Sequence, residues 1–208
     1  MASPAVRQRL TVVTLGLVGQ FLSIAAGVYL GMQADAWKEE RAHREAERAA
    51  LANFRTELAA NHDRLLSYAP IYKAYADSMR ISQQRGDAMP RTIREVFRRL
   101  GWRGLNPVAF QHTAWDLALA TQALSYVPPP LAFRVARIYS AQEHMENLQR
   151  DVSAALFNPT ALDDARVYSF LLTFSAYLED SIIQSQLIGK LYAQTLPAID
   201  SAVKALPR

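Results

Sequence analysis

The sequence predicts an all-α protein. One N-terminal transmembrane helix continues into a stalk helix, and a bundle of five or six helices follows. Three observations predict this. Residues 11–32, TVVTLGLVGQFLSIAAGVYLGM, carry no charge. Apolar residues then recur with helical spacing from Leu51 onward. No stretch alternates apolar and polar residues with the period of a strand. The expected segments are a short basic tail at 1–9, the transmembrane helix at 10–34, a stalk and amphipathic helix at 35–69, and an extramembrane bundle at 70–208.

The uncharged run would make a helix of about 33 Å, enough for a hydrocarbon core of about 30 Å. A cleaved signal peptide is the alternative, with Ala34-Asp35-Ala36 as its cleavage site. Its apolar region would be shorter, and the charged series Trp37-Lys38-Glu39-Glu40-Arg41 favours continued helix. A count of lysine and arginine beside the run slightly favours a cytoplasmic C-terminal side. Long domains translocate largely regardless of charge, however, and Arg7 and Arg9 lie in a short tail of the kind usually held inside. The expectation is therefore a single-pass inner-membrane protein, N-terminus cytoplasmic and C-terminal domain periplasmic.

Within the run, Gly19, Ser23, Gly27 and Gly31 recur every four residues and form one stripe of minimal side chain. Lipid gives helices no hydrophobic drive to associate, so close backbone approach over small residues is what joins them. The stripe predicts a packing face for another transmembrane helix, with Gln20 beside it as a hydrogen-bonding group. Trp37 falls where an aromatic anchor meets the water boundary.

Residues 37–48, WKEERAHREAER, are polar all round and read as a solvated helix supported by pairs such as Glu40–Arg44. Next, Leu51, Leu58, Leu65 and Tyr72 share one heptad position, and Phe54, Asn61, Tyr68 and Tyr75 share another. This seam reads first as the core face of a bundle helix and second as a coiled coil. Pro70 predicts a kink or end, with a second helix over 71–84. Gly86-Asp87 is a break. Pro90 opens a short helix that ends at Gly101. Thr113-Ala114-Trp115-Asp116 reads as a capping box opening a helix to about Tyr126. Pro128-Pro129-Pro130 precedes a long helix over 131–157. Thr160 to Asp163 reads as a second cap, and the helix after it should break at Pro197.

The chain has 208 residues and no cysteine, which excludes disulfides, thiolate metal sites and cysteine nucleophiles. Its net charge is +4. The charge is uneven: Arg80, Arg85, Arg91, Arg94, Arg98, Arg99 and Arg103 face only Asp87 and Glu95. Arg91, Arg94 and Arg98 are expected on one helix face. Together with Arg99 and Arg103 they form a candidate contact for an acidic partner or anionic lipid headgroups, set against a merely solvated face. Nucleic acid is not expected, because that would want interleaved aromatics and a cytoplasmic setting.

Catalytic motifs are missing from the sequence. No H-E-x-x-H, P-loop, G-x-G-x-x-G or G-x-S-x-G occurs. Glu143-His144-Met145-Glu146 has the residue types of a di-iron motif in the wrong spacing. Asp163-Asp164 and Glu179-Asp180 are adjacent acids, which point apart on a helix. The expectation is no enzyme, no catalytic residue, no metal and no cofactor. Trp102, Trp115 and the tyrosines read as core.

Two motifs carry a resemblance. Gln33-Ala34-Asp35-Ala36-Trp37-Lys38-Glu39-Glu40-Arg41 resembles the junction after the single span in a group of uncharacterised bacterial inner-membrane proteins, with Asp35 at an Asn/Asp position and Lys38 where Asn is frequent. Thr113-Ala114-Trp115-Asp116-Leu117-Ala118, Thr121-Gln122-Ala123-Leu124-Ser125 and Tyr139-Ser140-Ala141-Gln142 resemble a T-x-A-W-x-x-A-x-x-T-G-A-L-S…Y…Q pattern in similar proteins. Gln122 stands where that pattern has glycine. The resemblance implies a bacterial single-span helical protein and no particular activity. The functional expectation is a non-catalytic accessory or assembly subunit of a larger inner-membrane complex, respiratory or photosynthetic complexes being the architectural analogy. Its partners would be other integral membrane subunits. The alternative is a homodimeric periplasmic ligand-sensing or signalling module.

Overall fold

The computed structural model describes the backbone of residues 4–207, and side chains at Gln20, Ser23 and residues 26–207. Five α-helices and two short 3-10 turns make up the regular structure, with no strand among the described residues. The α-helices are α1 (Pro4–Gln84), α2 (Ile93–Leu100), α3 (Thr113–Ala120), α4 (Pro129–Leu156) and α5 (Val167–Ala205). The 3-10 turns are Ala123–Tyr126 and Asp164–Arg166. The chain divides into two compact units, Met1–Ala46 and Glu47–Arg208.

In the first unit, Val28, Tyr29, Leu30 and Met32 are all about two-thirds exposed. Downstream, Arg44 donates to Glu40 at 2.8 Å and Arg41 to Glu45 at 3.0 Å, the i, i+4 pairing that the charge pattern predicts. Among the described residues no helix is long and apolar enough to cross a membrane. The side chains at 11–19, 21, 22, 24 and 25 lie outside the description, so the span expected over 10–34 falls largely outside it too.

The second unit is built on three long helices. The part of α1 in this unit runs antiparallel to α5: Arg55 meets Asp200 at 2.7 Å, and the rings of His62 and Tyr192, Tyr72 and Tyr177, and Tyr75 and Phe174 meet at an angle. It runs parallel to α4, where Glu57 meets Tyr139 and Tyr72 meets Gln149. Helices α4 and α5 form an antiparallel hairpin through the short 157–166 connection. The heptad seam is the core face of a bundle helix. Leu51, Phe54, Leu58, Asn61, Leu65, Tyr72 and Tyr75 are buried, and Tyr68 is half-buried. Residues 47–69, within the expected stalk and amphipathic helix, contribute this one buried face to the second unit.

Several boundaries differ from expectation. Helix α1 passes through Pro70 and α5 passes through Pro197, so neither a separate 71–84 helix nor a separate terminal one exists. Both prolines are exposed, as are Leu66 and Ala193 four residues earlier. The carbonyl each proline orphans can therefore meet water, while buried neighbours on the opposite face hold the helix. Helix α2 begins at Ile93 rather than Pro90. Thr92 is its N-cap and accepts from the Glu95 amide, while the Glu95 carboxylate accepts from the Arg91 amide. Its end is a Schellman turn, with Gly101 at φ 60° and the Trp102 amide donating to the Phe97 carbonyl.

Thr113 is the first residue of α3 and not its cap, because the Ala114 amide is taken by Glu57 from α1. Helix α3 stops at Ala120. Gln122 just beyond it adopts the left-handed conformation, φ 56°, where the resembled pattern has glycine. Near α5, Asp163 caps the second 3-10 turn, while Asn158 accepts from the Thr160 amide.

Candidate functional site

The arginine segment occupies one end of the second unit. Helix α2 buries Ile93, Val96 and Leu100, which turns Arg94 and Arg98 outward. Its first amide is held by Asp164 at 2.8 Å, which ties α2 to the start of α5. Arg91 lies outside the helix, before the extended N-cap Thr92, and so is not on a helical turn with Arg94 and Arg98. Arg99 folds back, donating to Glu95 and to the Ala88 carbonyl at 2.7 Å. Arg98 lies 3.8 Å from the same Glu95. The Arg91 amide, then Arg99, hold the Glu95 carboxyl below its usual range. Arg103 is exposed in the loop after α2. Arg91, Arg94 and Arg103 have no ion-pair partner among the described residues, so positive charge is left facing solvent here.

Beside this face lies a cavity of about 650 Å³. The last turns of α1, the 85–90 loop, α2 and the first turns of α5 enclose it. Met79, Ile81, Met89, Tyr168, Leu171 and Leu172 supply apolar wall, and Arg85, Asp87 and Arg99 supply charge.

At the other predicted site, Gln20, Ser23, Gly27 and Gly31 are exposed, and Gly19 lies outside the described side chains. A β-carbon placed on Gly27 or Gly31 would meet nothing within 4 Å. Trp37 is exposed, with the Arg41 guanidinium 5.9 Å from its ring centre.

Sequence reasoning missed the roles of several polar side chains, buried at Glu57, Asn61, Gln142 and Gln149 and half-buried at Glu146. Glu57 accepts from the Tyr139 hydroxyl at 2.7 Å and the Ala114 amide at 2.9 Å. Asn61 exchanges two hydrogen bonds with the backbone of Gln111, at 2.8 and 2.9 Å. Tyr72 donates to the Asn106 carbonyl and Tyr75 to the Gly104 carbonyl, each at 3.1 Å. The irregular 101–112 segment is thus strung along α1. Glu146 on α4 holds its far end through the Phe110 amide at 2.9 Å and His112 at 3.1 Å. Deeper in, Gln142 donates to the Tyr192 hydroxyl and Gln149 to that of Tyr72.

Burial, and then the Glu57 carboxylate, push the Tyr139 phenol far above its usual range. Burial is also the main cause of the upward shifts of Tyr72, Tyr177 and Tyr192. Of these phenols, Tyr72 donates to the Asn106 carbonyl in the loop and Tyr139 to the Glu57 carboxylate, while the Tyr192 hydroxyl accepts from Gln142. Among the described residues no three acidic or histidine side chains converge on a point that could hold a metal. His144 and Glu143 are exposed, while Glu146 turns to His112. No protein-family model, curated protein or solved structure matches the chain.

Proposed function

We propose that this chain is a membrane-anchored, non-catalytic accessory or assembly subunit of a larger inner-membrane complex. The observation that carries the reading is the state of the first unit. Val28, Tyr29, Leu30 and Met32 lie in the C-terminal part of the uncharged run and stand exposed on the helix. A helix apolar on all sides must bury that surface in lipid or against partner helices. The open space over Gly27 and Gly31 supports close approach of such a partner. In this reading the helix anchors the chain with its N-terminus in the cytoplasm, Trp37 marks the interface, and Arg94 and Arg98 offer the second unit's contact to an acidic partner or headgroups.

The test is extraction of a C-terminally tagged chain in mild detergent, a native gel, and mass spectrometry of what co-migrates. A defined large assembly, lost with Gly27→Leu, is the expected result. Unchanged incorporation of that variant would sink the packing face. A lone species of one or two copies would favour the second reading, a homodimeric ligand-sensing module, for which the 650 Å³ cavity is the supporting observation.

A further inference from the structure

We propose that the cavity at the arginine end binds one amphiphilic carboxylate, a long-chain fatty acid, with its head on Arg85 and its chain along the apolar wall. This stands whether or not the chain is a subunit of a larger complex.

Size is the first argument. About 650 Å³ lies within the range of small-molecule pockets, roughly 300–1,000 Å³. The wall is the second. Ile81, Met89, Tyr168 and Leu172 ring the cavity and are 40–62% exposed, although each is large and apolar. Exposed apolar side chains gathered around one concavity mark a binding surface rather than scattered solvent contacts. The hydroxyls of Ser78 and Ser175, also in the wall, donate to carbonyls of their own helices at 2.8 and 3.2 Å. Other polar groups on the wall include the Gln83 amide and the Tyr168 hydroxyl.

Charge decides the head group. Of the three charged residues lining the cavity, Arg99 is neutralised by Glu95 and the Ala88 carbonyl. Asp87 accepts from the Ser82 hydroxyl at 3.0 Å, a neutral donor that leaves its negative charge in place. Arg85 has no ion-pair or side-chain hydrogen-bond partner among the described residues. One uncommitted guanidinium is a planar two-donor fork, and a single carboxylate matches it with two parallel hydrogen bonds. A neutral lipid would give the guanidinium no counter-charge.

The experiment uses the full chain held in amphipol, so that no detergent competes. It is titrated with the fluorescent fatty acid cis-parinaric acid. Saturation at one molecule per chain, displacement by oleate and failure of oleyl alcohol to displace it are expected. Arg85→Gln should weaken binding about tenfold or more, the loss of one charge-assisted contact. Leu172→Trp should abolish binding by filling the cavity. Both residues are exposed, so unchanged thermal melts are expected and are checked for each variant. Lysophosphatidylglycerol, whose anion is a phosphodiester, should displace the probe far less well than oleate; displacement as effective as oleate's would overturn the carboxylate assignment. Non-saturating uptake, equal displacement by the alcohol, or unaltered binding in both variants would overturn the proposal.

Discussion

Single residues show where local rules are kept and where they are broken. Gln122 sits at φ 56° with a side chain that the left-handed region disfavours by about 1–2 kcal/mol. Gln122→Gly should therefore stabilise the fold by about 1 kcal/mol in urea denaturation, since glycine takes this position after a helix freely. The opposite sign is expected at Glu57. Glu57→Ala leaves the Ala114 amide and the Tyr139 hydroxyl without their acceptor, and should cost about 3 kcal/mol in the same assay. Tyr139→Phe removes one donor and should cost about 1–2 kcal/mol. Asn61 was legible as a polar residue in an apolar seam, but its role was not. It fixes the backbone of Gln111 rather than a helix register. Glu57 was hidden for a physical reason. A heptad describes contact with one neighbour, and a residue beside the seam is then expected in water. Here α1 is covered from several directions, so that flanking position is buried too.

At the scale of elements, the long helices were legible because their apolar spacing is strong, and their ends were legible where glycine or proline sits in a turn. Gly101 and the proline run at 128–130 both mark real boundaries. Pro70 and Pro197 misled, because sequence shows that a hydrogen bond is lost but not that the orphaned carbonyl lies in water. The short helices were only half legible. Helix α2 carries a local cap in Thr92 and Glu95, although Pro90 drew the expected start three residues too early. Helix α3 does not, because the acid at its N-terminus comes from a residue 57 positions away. No local motif can report a cap supplied by another helix. The arginine cluster was legible as charge. The cavity beside it was not, because its walls come from α1, α2 and α5.

At the scale of the molecule, the three long helices enclose four phenols whose pKa values are raised, those of Tyr72, Tyr139, Tyr177 and Tyr192. In the unfolded chain a tyrosine titrates near pH 10. Above that pH the unfolded state loses these protons while the folded state keeps them. The folded state then binds more protons, so stability falls as pH rises. Below pH 10 both states are protonated and this contribution is fully present. Thermal melts between pH 8 and 11 should show a fall beginning near pH 10, and its slope should lessen in Tyr139→Phe. A melting temperature flat to pH 11 would contradict the buried-phenol core. The antiparallel pairing of α1 with α5 has a temporal consequence. Arg55 meets Asp200, 145 positions later in the chain. Each face of α1 that leaves the ribosome early must wait for a partner made near the end of synthesis. Until then its apolar seam stands open, so the nascent chain has a long interval in which a chaperone or a membrane surface can shelter it.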